Sequence, residues 1–269
     1  MSIFQAPEVD MQLTLRQRAT YLAHLHKAIF RSYHAQLVPY LTTIIPANGT
    51  VVDVGAHAGQ FTKIFARLAP RGRVYAFEPS SYARSILSRV CTIRRLRNVA
   101  IVPAGLGAAV ERLELNIPLK HSGSLGFGSS HLSPDRARES RARAILTETI
   151  EVETLDCFAE ARGLDSLCFI KADIEGWELN MLHGATKVLR AFRPVLLLEI
   201  DDVHLKRAGQ SKAALFGFLG EHGYGLRRIE GYEGKSRGQI HLRDDRDDGN
   251  FFCFPVENLK SSLSRLSTE

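Results

Sequence analysis

Short apolar runs alternate with longer amphipathic stretches along most of this 269-residue chain. In the amphipathic stretches, apolar residues recur every three or four positions, which is typical of a helix that buries one side. The predicted strands are 51–54, 74–77, 98–103, 167–170 and 195–198. This alternation predicts an α/β fold in which helices cover both faces of a doubly wound, mostly parallel sheet.

The two ends of the chain depart from this alternation. Residues 13–38 predict an amphipathic helix that ends at Pro39 and covers a sheet edge or the substrate mouth, with membrane contact or a homodimer interface left open. Further strands are predicted at 111–117, 149–154, 224–229, 239–242 and 251–254, the last three after a helix over 215–219 and forming an antiparallel edge. We therefore expect an N-terminal helical extension (1–46), a main domain (47–257) and a C-terminal tail (258–269).

A glycine turn follows the first strand. The strand 51–54 carries Asp53 and breaks at Gly55 and Gly59, where backbone could approach a ligand closely. The dinucleotide fingerprint is absent, because its second glycine would fall at His57. Glu78 ends the next strand, where a carboxylate can accept both hydroxyls of a ribose. This combination suits S-adenosylmethionine (SAM), which has a ribose diol but no pyrophosphate.

The remaining strands end in charged residues. Lys171, Asp173 and Glu175 follow one another at every second position, and Glu199 ends the next strand with His204 shortly after it. Since carboxyl ends of parallel strands share one edge of the sheet, we expect these groups near Glu78. A purely structural alternative is that Lys171 pairs with Asp173 while Glu175 caps the following helix.

The stretch 121–143 is rich in glycine and serine and then in arginine. A loop of this length inside a domain is more often functional than idle, so we expect a lid over the substrate, with an insertion as the alternative.

Composition limits the remaining possibilities. The net charge of +6 permits an anionic substrate or nucleic acid but requires neither. No apolar run is long enough for a membrane span, and residues 1–10 lack the pattern of a secretory signal. The four cysteines show no Cys-x-x-Cys pair, which favours reduced thiols in a cytoplasmic protein.

The order of these motifs resembles the FkbM-type SAM-dependent methyltransferases. The likeness covers about residues 50–200 and includes Ala-Phe-Glu-Pro at 76–79 and Ile-Lys-Ala-Asp-Ile-Glu-Gly-Trp-Glu at 170–178. The resemblance implies a class I methyltransferase (Rossmann-like) fold with seven strands, and O-methylation of hydroxyls on sugars or secondary metabolites. The expected cofactor-binding residues are Asp53, Gly55, His57, Gly59, Glu78, Pro79, Leu106 and Asp173.

Transfer of a methyl group to a neutral alcohol needs a positioned base or a metal ion. Asp173 is the predicted base, with Glu175, Glu199 and His204 as substitutes and Lys171 orienting the acid. The metal is unknown; a divalent ion would first be sought at Asp173 and Glu199. The expected partner is a small hydroxylated acceptor. An RNA methyltransferase is the alternative suggested by arginines 136–143, although no RNA-binding module is recognisable. A third possibility is a protein that still binds SAM but no longer catalyses methyl transfer.

Overall fold

The computed structural model of the protein describes residues 15–118, 145–235 and 239–266. The strands within this part of the chain are β1 (Thr50–Val54), β2 (Arg73–Phe77), β3 (Val99–Val102), β4 (Gly105–Leu106), β5 (Glu111–Pro118), β6 (Ile145–Glu153), β7 (Phe169–Ala172), β8 (Val195–Ile200), β9 (Tyr224–Glu230), β10 (His241–Arg243) and β11 (Gly249–Pro255). The predicted lid at 121–143 lies outside the described residues.

The helices alternate with the strands as the apolar pattern predicts. They are α1 (Leu15–Phe30), α2 (Val38–Ile44), α3 (Gln60–Leu68), α4 (Ser81–Arg94), α5 (Leu155–Arg162), α6 (Glu178–His183), α7 (Thr186–Phe192), α8 (Asp202–Arg207), α9 (Lys212–Glu221) and α10 (Val256–Leu266), with a 3-10 turn at Ala35–Leu37. Among the described residues, no helix is both long and apolar enough to span a bilayer.

Eight of the described strands form the main sheet, in the order β10-β9-β11-β8-β7-β1-β2-β3. Its centre is parallel, and β11 runs antiparallel between β8 and β9. The predicted architecture is therefore present: a doubly wound, mostly parallel sheet with an antiparallel edge and a helical N-terminal extension. The expected seven strands are joined by one more, because β10 pairs with β9 at the outer edge.

Both faces of this sheet are buried, so neighbouring residues of a strand enter different cores. In β11, for example, Phe251 and Cys253 pack with α5, α6, α7 and α9, whereas Phe252 and Phe254 pack with α2 and α3. This two-sided burial explains why the strands are continuous apolar runs in the sequence.

A small second sheet stands beside the main one. In it β5 pairs antiparallel with β6, and Gly105–Leu106, which the sequence indicated as a turn, pairs parallel with β6. Leu115, Ile150 and Val152 of this sheet pack against residues of α1 and α4. The second sheet therefore lies beside the carboxyl end of β3, next to α1 and α4.

The N-terminal helix is shorter than predicted. It ends at Phe30, and Pro39 lies in the first turn of α2 instead of terminating α1. Cations from two other helices bind its last carbonyls: Lys63 donates to Ala28 and Arg31, and Arg94 donates to Ile29. Positive charge is attracted to the negative end of a helix dipole, which lies at the C-terminus. These contacts therefore hold the end of α1 against α3 and α4.

The predicted C-terminal tail is largely helical. Residues 256–266 form α10, whose Leu259 lies so close to Gly225 that a Cβ on the glycine would be 2.9 Å from Leu259 Cδ2. Glu257 also forms a two-fold ion pair with Arg193. The segment therefore packs on one face of the antiparallel part of the sheet.

Candidate active site

A cleft of about 430 Å³ opens at the carboxyl ends of β1, β2, β7 and β8. Most of the residues predicted to bind the cofactor or to act in catalysis line it: Gly55, His57, Glu78, Pro79, Leu106, Lys171, Asp173, Glu175 and Glu199. Asp53 and Gly59 are not part of its wall, and neither is His204. The structure thus brings the ends of four strands together at one opening.

The glycine turn forms one side of the cleft. Gly55 has φ 70°, and a Cβ there would lie 2.3 Å from the backbone oxygen of Asp173. Gly59 has φ 81° at the start of α3, where a Cβ would lie 2.6 Å from Leu87 Cδ1. The backbone conformation and the close contacts therefore require glycine at both positions. Gly59 packs against Leu87 of α4 and not against the cleft.

Glu78 is the buried acid at the end of β2. Its Oε2 accepts a hydrogen bond from the His57 amide at 2.7 Å, and its Oε1 accepts one from the Ser80 amide at 2.9 Å. Burial raises the pKa of Glu78 to about 7, although these two amides favour the ionised form. Each oxygen keeps a further lone pair, so the carboxylate can accept two more hydrogen bonds from a ligand.

Asp53 and Lys171 support the floor of the cleft. Asp53 is fully buried; its Oδ2 accepts from Thr62 Oγ1 at 2.5 Å, and its Oδ1 lies 3.7 Å from Lys171 Nζ. Lys171 Nζ also donates to the carbonyls of Val54 and Gly55, at 3.2 and 3.1 Å. Lys171 thereby ties β7 to the glycine turn, and Asp53 acts on the site through Lys171 and Thr62.

Asp173 and Glu199 are two acids that lie side by side at the ends of β7 and β8. Asp173 Oδ2 lies 3.7 Å from Lys171 Nζ, and the two carboxyl groups share a hydrogen bond. Burial, together with the charge of Asp173, holds the pKa of Glu199 far above its ordinary range. Burial also opposes ionisation of Asp173, but the Lys171 charge and the Glu199 hydrogen bond hold the pKa of Asp173 below its ordinary value. Near pH 7 these shifts favour a proton on Glu199 and an ionised Asp173, so that the pair carries about one negative charge.

Glu175 does not cap the following helix as the structural alternative proposed: the cap position of α6 is Trp177, which makes no side-chain cap hydrogen bond, and the loop amides before the helix are bound by Glu178. Glu178, 1% exposed, accepts hydrogen bonds from the amides of Ile174 and Gly176 at 3.0 and 3.3 Å. Glu175 has φ 57° and instead pairs with His204 Nδ1 at 3.1 Å. The other half of that alternative, the pairing of Lys171 with Asp173, is present.

Several wall residues were missed by the sequence analysis. His34, from the segment between α1 and α2, lines the cleft, as do Gln60, Ser80 and Trp177. The polar atoms Gln60 Oε1, Ser80 Oγ and Trp177 Nε1 are buried and have no hydrogen-bond partner within the described part of the chain. For Trp177 the sequence did contain an indication of a place in the cleft, because the residue directly precedes a helix that begins at the rim of the cleft.

No group of three or more histidine, cysteine, aspartate or glutamate side chains suited to a metal ion occurs in the described part of the chain. The two acids predicted as first metal ligands, Asp173 and Glu199, bond to each other.

Comparison with known proteins agrees with this architecture. The chain is 24% identical over 172 residues to "Methyltransferase 1" of Beauveria bassiana, a match that covers 60% of this chain and 66% of that protein. It is 27% identical over 164 residues to "Methyltransferase sdnD" of Sordaria araneosa, covering 52% and 61%. The matches thus span less than two thirds of either relative.

Among solved structures, the methyltransferase FkbM from Methylobacillus flagellatus KT matches with a TM-score of 0.50 and 18% identity, covering 89% of this chain and 59% of that one. That likeness concerns the fold. The family model described as "Methyltransferase FkbM domain" matches residues 53–226, which is more than half of the chain. The protein therefore belongs to the FkbM methyltransferase domain family.

Proposed function

We propose that this protein uses SAM to methylate a hydroxyl group of a small-molecule acceptor such as a sugar or secondary metabolite. The observation that supports this most directly is the environment of Glu78. Its carboxylate is oriented by two amides, and three buried polar atoms without partners belong to the same cleft. An unpaired buried polar group costs roughly 1–3 kcal/mol, so such a cluster is expected where a polar ligand supplies the missing bonds.

The residues present fit SAM. Glu78 would hold the two ribose hydroxyls, because both of its oxygens retain acceptor capacity. Ser80, Gln60 and Trp177 line the same cleft, and each carries a buried polar atom that has no partner among the described residues. When bound, SAM supplies a methyl group on a positively charged sulfur. The single negative charge of the Asp173–Glu199 pair is on the same cleft and would favour this cation electrostatically.

Asp173 is also the residue we propose to receive the acceptor hydroxyl. The charge of Lys171 favours the ionised form of the Asp173 carboxyl group, and the ion pair with Lys171 restricts its position. A carboxylate held in this way can attract the positive charge that develops on the hydroxyl oxygen as it is alkylated, and can so hold the acceptor towards the sulfonium end of the cleft. Such orientation accounts for much of the acceleration expected of a displacement reaction.

Calorimetry with SAM and a screen of hydroxylated acceptors for released S-adenosylhomocysteine (SAH) test this proposal. Asp173→Asn keeps the size of the side chain but removes its charge. We expect the variant to bind SAM, to melt near the parent temperature, and to lose about 10²–10⁴-fold in turnover. Asp202→Asn is the matched control, since Asp202 follows β8 but lies outside the cleft.

Three results would count against the proposal. Parental turnover in Asp173→Asn would make Asp173 structural. A parent protein that binds SAM but methylates only RNA, or nothing, would favour one of the two alternatives. Absence of SAM binding would remove the cofactor assignment.

A further inference from the structure

His34 occupies a constrained position at the cleft. Its φ of 61° is in the left-handed region, which is uncommon for a residue with a side chain. Its amide donates to the Gly234 carbonyl at 2.7 Å, and its ring stacks on Phe61 with centroids 4.1 Å apart and planes 15° apart. Its Nδ1 is hydrogen-bonded to the hydroxyl of Tyr232. These contacts determine both the backbone and the ring orientation of His34.

His34 lines the same cleft as the charged residues of β7 and β8. Lys171, Asp173 and Glu199 line the same cavity as His34. Burial, with the Lys171 and Lys63 charges, lowers the pKa of His34 to about 4, while the Asp173 charge opposes this. The imidazole is therefore neutral near pH 7 and has one nitrogen, Nε2, with no described hydrogen-bond partner.

The other groups at this end are poorly suited to take a proton. Glu199 already carries one, and the Asp173 carboxylate is stabilised by Lys171 and by Glu199. Glu175 is paired with His204. If Nδ1–H donates to Tyr232, Nε2 presents a lone pair, which makes His34 an uncharged base on this wall.

We propose that His34, oriented by Tyr232 and Phe61, binds the acceptor hydroxyl through Nε2 and takes its proton during methyl transfer. The inference rests on the proposed function. As the hydroxyl oxygen bonds to the methyl carbon, the carbon–sulfur bond breaks and its electron pair stays on the neutral sulfur of SAH. The proton of the hydroxyl passes to Nε2, and the Asp173 charge stabilises the imidazolium. Because an oxygen that is being alkylated becomes strongly acidic, a weak base suffices.

The test combines two variants with one matched control. His34→Gln keeps a polar side chain without basicity, and His34→Ala leaves a space against Phe61. The control is His222→Gln, because His222 also stacks on a phenylalanine, with centroids 4.0 Å apart, and bonds through Nδ1, yet lies outside the cleft. We expect about 10²-fold lower kcat in His34→Gln with nearly unchanged SAM affinity, and parental kcat in the control.

Two further measurements separate proton transfer from a structural role. Added imidazole should restore turnover to His34→Ala, whereas pyrazole, which has the same shape but is much less basic, should not. Nitrogen-15 NMR of the parent should show His34 protonated at Nδ1, and its Nε2 signal should move when an acceptor joins the SAH complex, while that of His222 stays.

The outcomes are distinguishable. Parental kcat in His34→Gln, or equal rescue by imidazole and pyrazole, overturns the role of His34 while leaving the proposed function intact. Protonation of Nε2 in the NMR spectrum overturns it as well. A parent that binds SAM and transfers methyl to no hydroxylated acceptor overturns the proposed function, and this inference with it.

Discussion

Replacement of Glu78 by glutamine is the sharpest test of the cofactor site. The change preserves side-chain length but removes the charge and one of two acceptor oxygens. In the parent, both oxygens accept backbone amides, from His57 and Ser80. In Glu78→Gln one of these amides faces an NH₂ group, so the free energy of unfolding should fall by about 1–3 kcal/mol.

The effect on SAM affinity follows from the bonds that Glu78 would make to the ribose. A hydrogen bond to a charged group contributes about 1.5–3 kcal/mol and a neutral one about 0.5–1.5 kcal/mol. The variant loses one acceptor and weakens the other bond, a total of roughly 2–4 kcal/mol. We therefore expect SAM to bind about 30–1000-fold more weakly at a pH where Glu78 is ionised.

This difference should depend on pH. Burial raises the pKa of Glu78 in the free protein to about 7, and the ribose would bind the ionised form. Below pH 7 the parent must therefore lose a proton before it binds, and its affinity should fall about tenfold per pH unit. Glutamine does not titrate, so the ratio of the two affinities should shrink as the pH is lowered from 8 to 5.5.

Isothermal titration calorimetry at several pH values measures both effects. Glu148→Gln is the matched control, because Glu148 accepts the Ser81 amide at 3.0 Å but lies outside the cleft. The reasoning is refuted if folded Glu78→Gln binds SAM as tightly as the parent. A ratio of affinities that stays constant with pH would refute the assignment of the titrating group.

Two stability predictions follow from the loop after β7. In Gly176→Ala the new Cβ lies 2.2 Å from the His204 carbonyl oxygen at φ 97°, and chemical denaturation should show the free energy of unfolding reduced by more than about 2 kcal/mol. Gly163→Ala, at φ 57° in open space, should reduce it by only about 1 kcal/mol. Equal losses in the two variants would contradict the steric argument. Burial raises the pKa of Glu178 to about 7, above its value in the unfolded chain, so folding is favoured at acid pH and this contribution is lost as the pH rises from about 4.5 to 7. Melting temperatures across this range should show a smaller decline in Glu178→Gln than in the parent, and identical slopes would contradict the assignment.

Much of the fold could be predicted from the sequence, because strands buried on both faces leave uninterrupted apolar runs. The extent of α1 could not. Helical spacing continues past Phe30 to Tyr33, and nothing local shows that His34 turns left-handed to reach Gly234. The strand β10 was expected at 239–242, but its pairing as an eighth strand depends on the position of β9.

The residues of the candidate site also fall into those that the sequence predicts and those that it does not. Glu78, Asp173 and Glu199 could be found because each closely follows an apolar run, and parallel strands end at one edge. His34 and Tyr232 are 198 positions apart and come from irregular segments, so only the folded chain shows that they meet. The structural alternative, in which Glu175 caps the helix, was wrong, because the sequence does not show that Glu178 binds the loop amides while Glu175 pairs with His204.

The attachment of α1 restricts how this protein can be divided or recombined. Lys63 is only 6% exposed, and its ammonium group donates to carbonyls of the N-terminal segment. Without residues 1–46, that cation would remain in the flank of the helix that follows the glycine turn and would lack these acceptors. We therefore expect residues 1–46 and the helices that follow β1 and β2 to unfold together. A chimaera that exchanges the N-terminal segment to change the acceptor must retain carbonyl acceptors for Lys63 and Arg94.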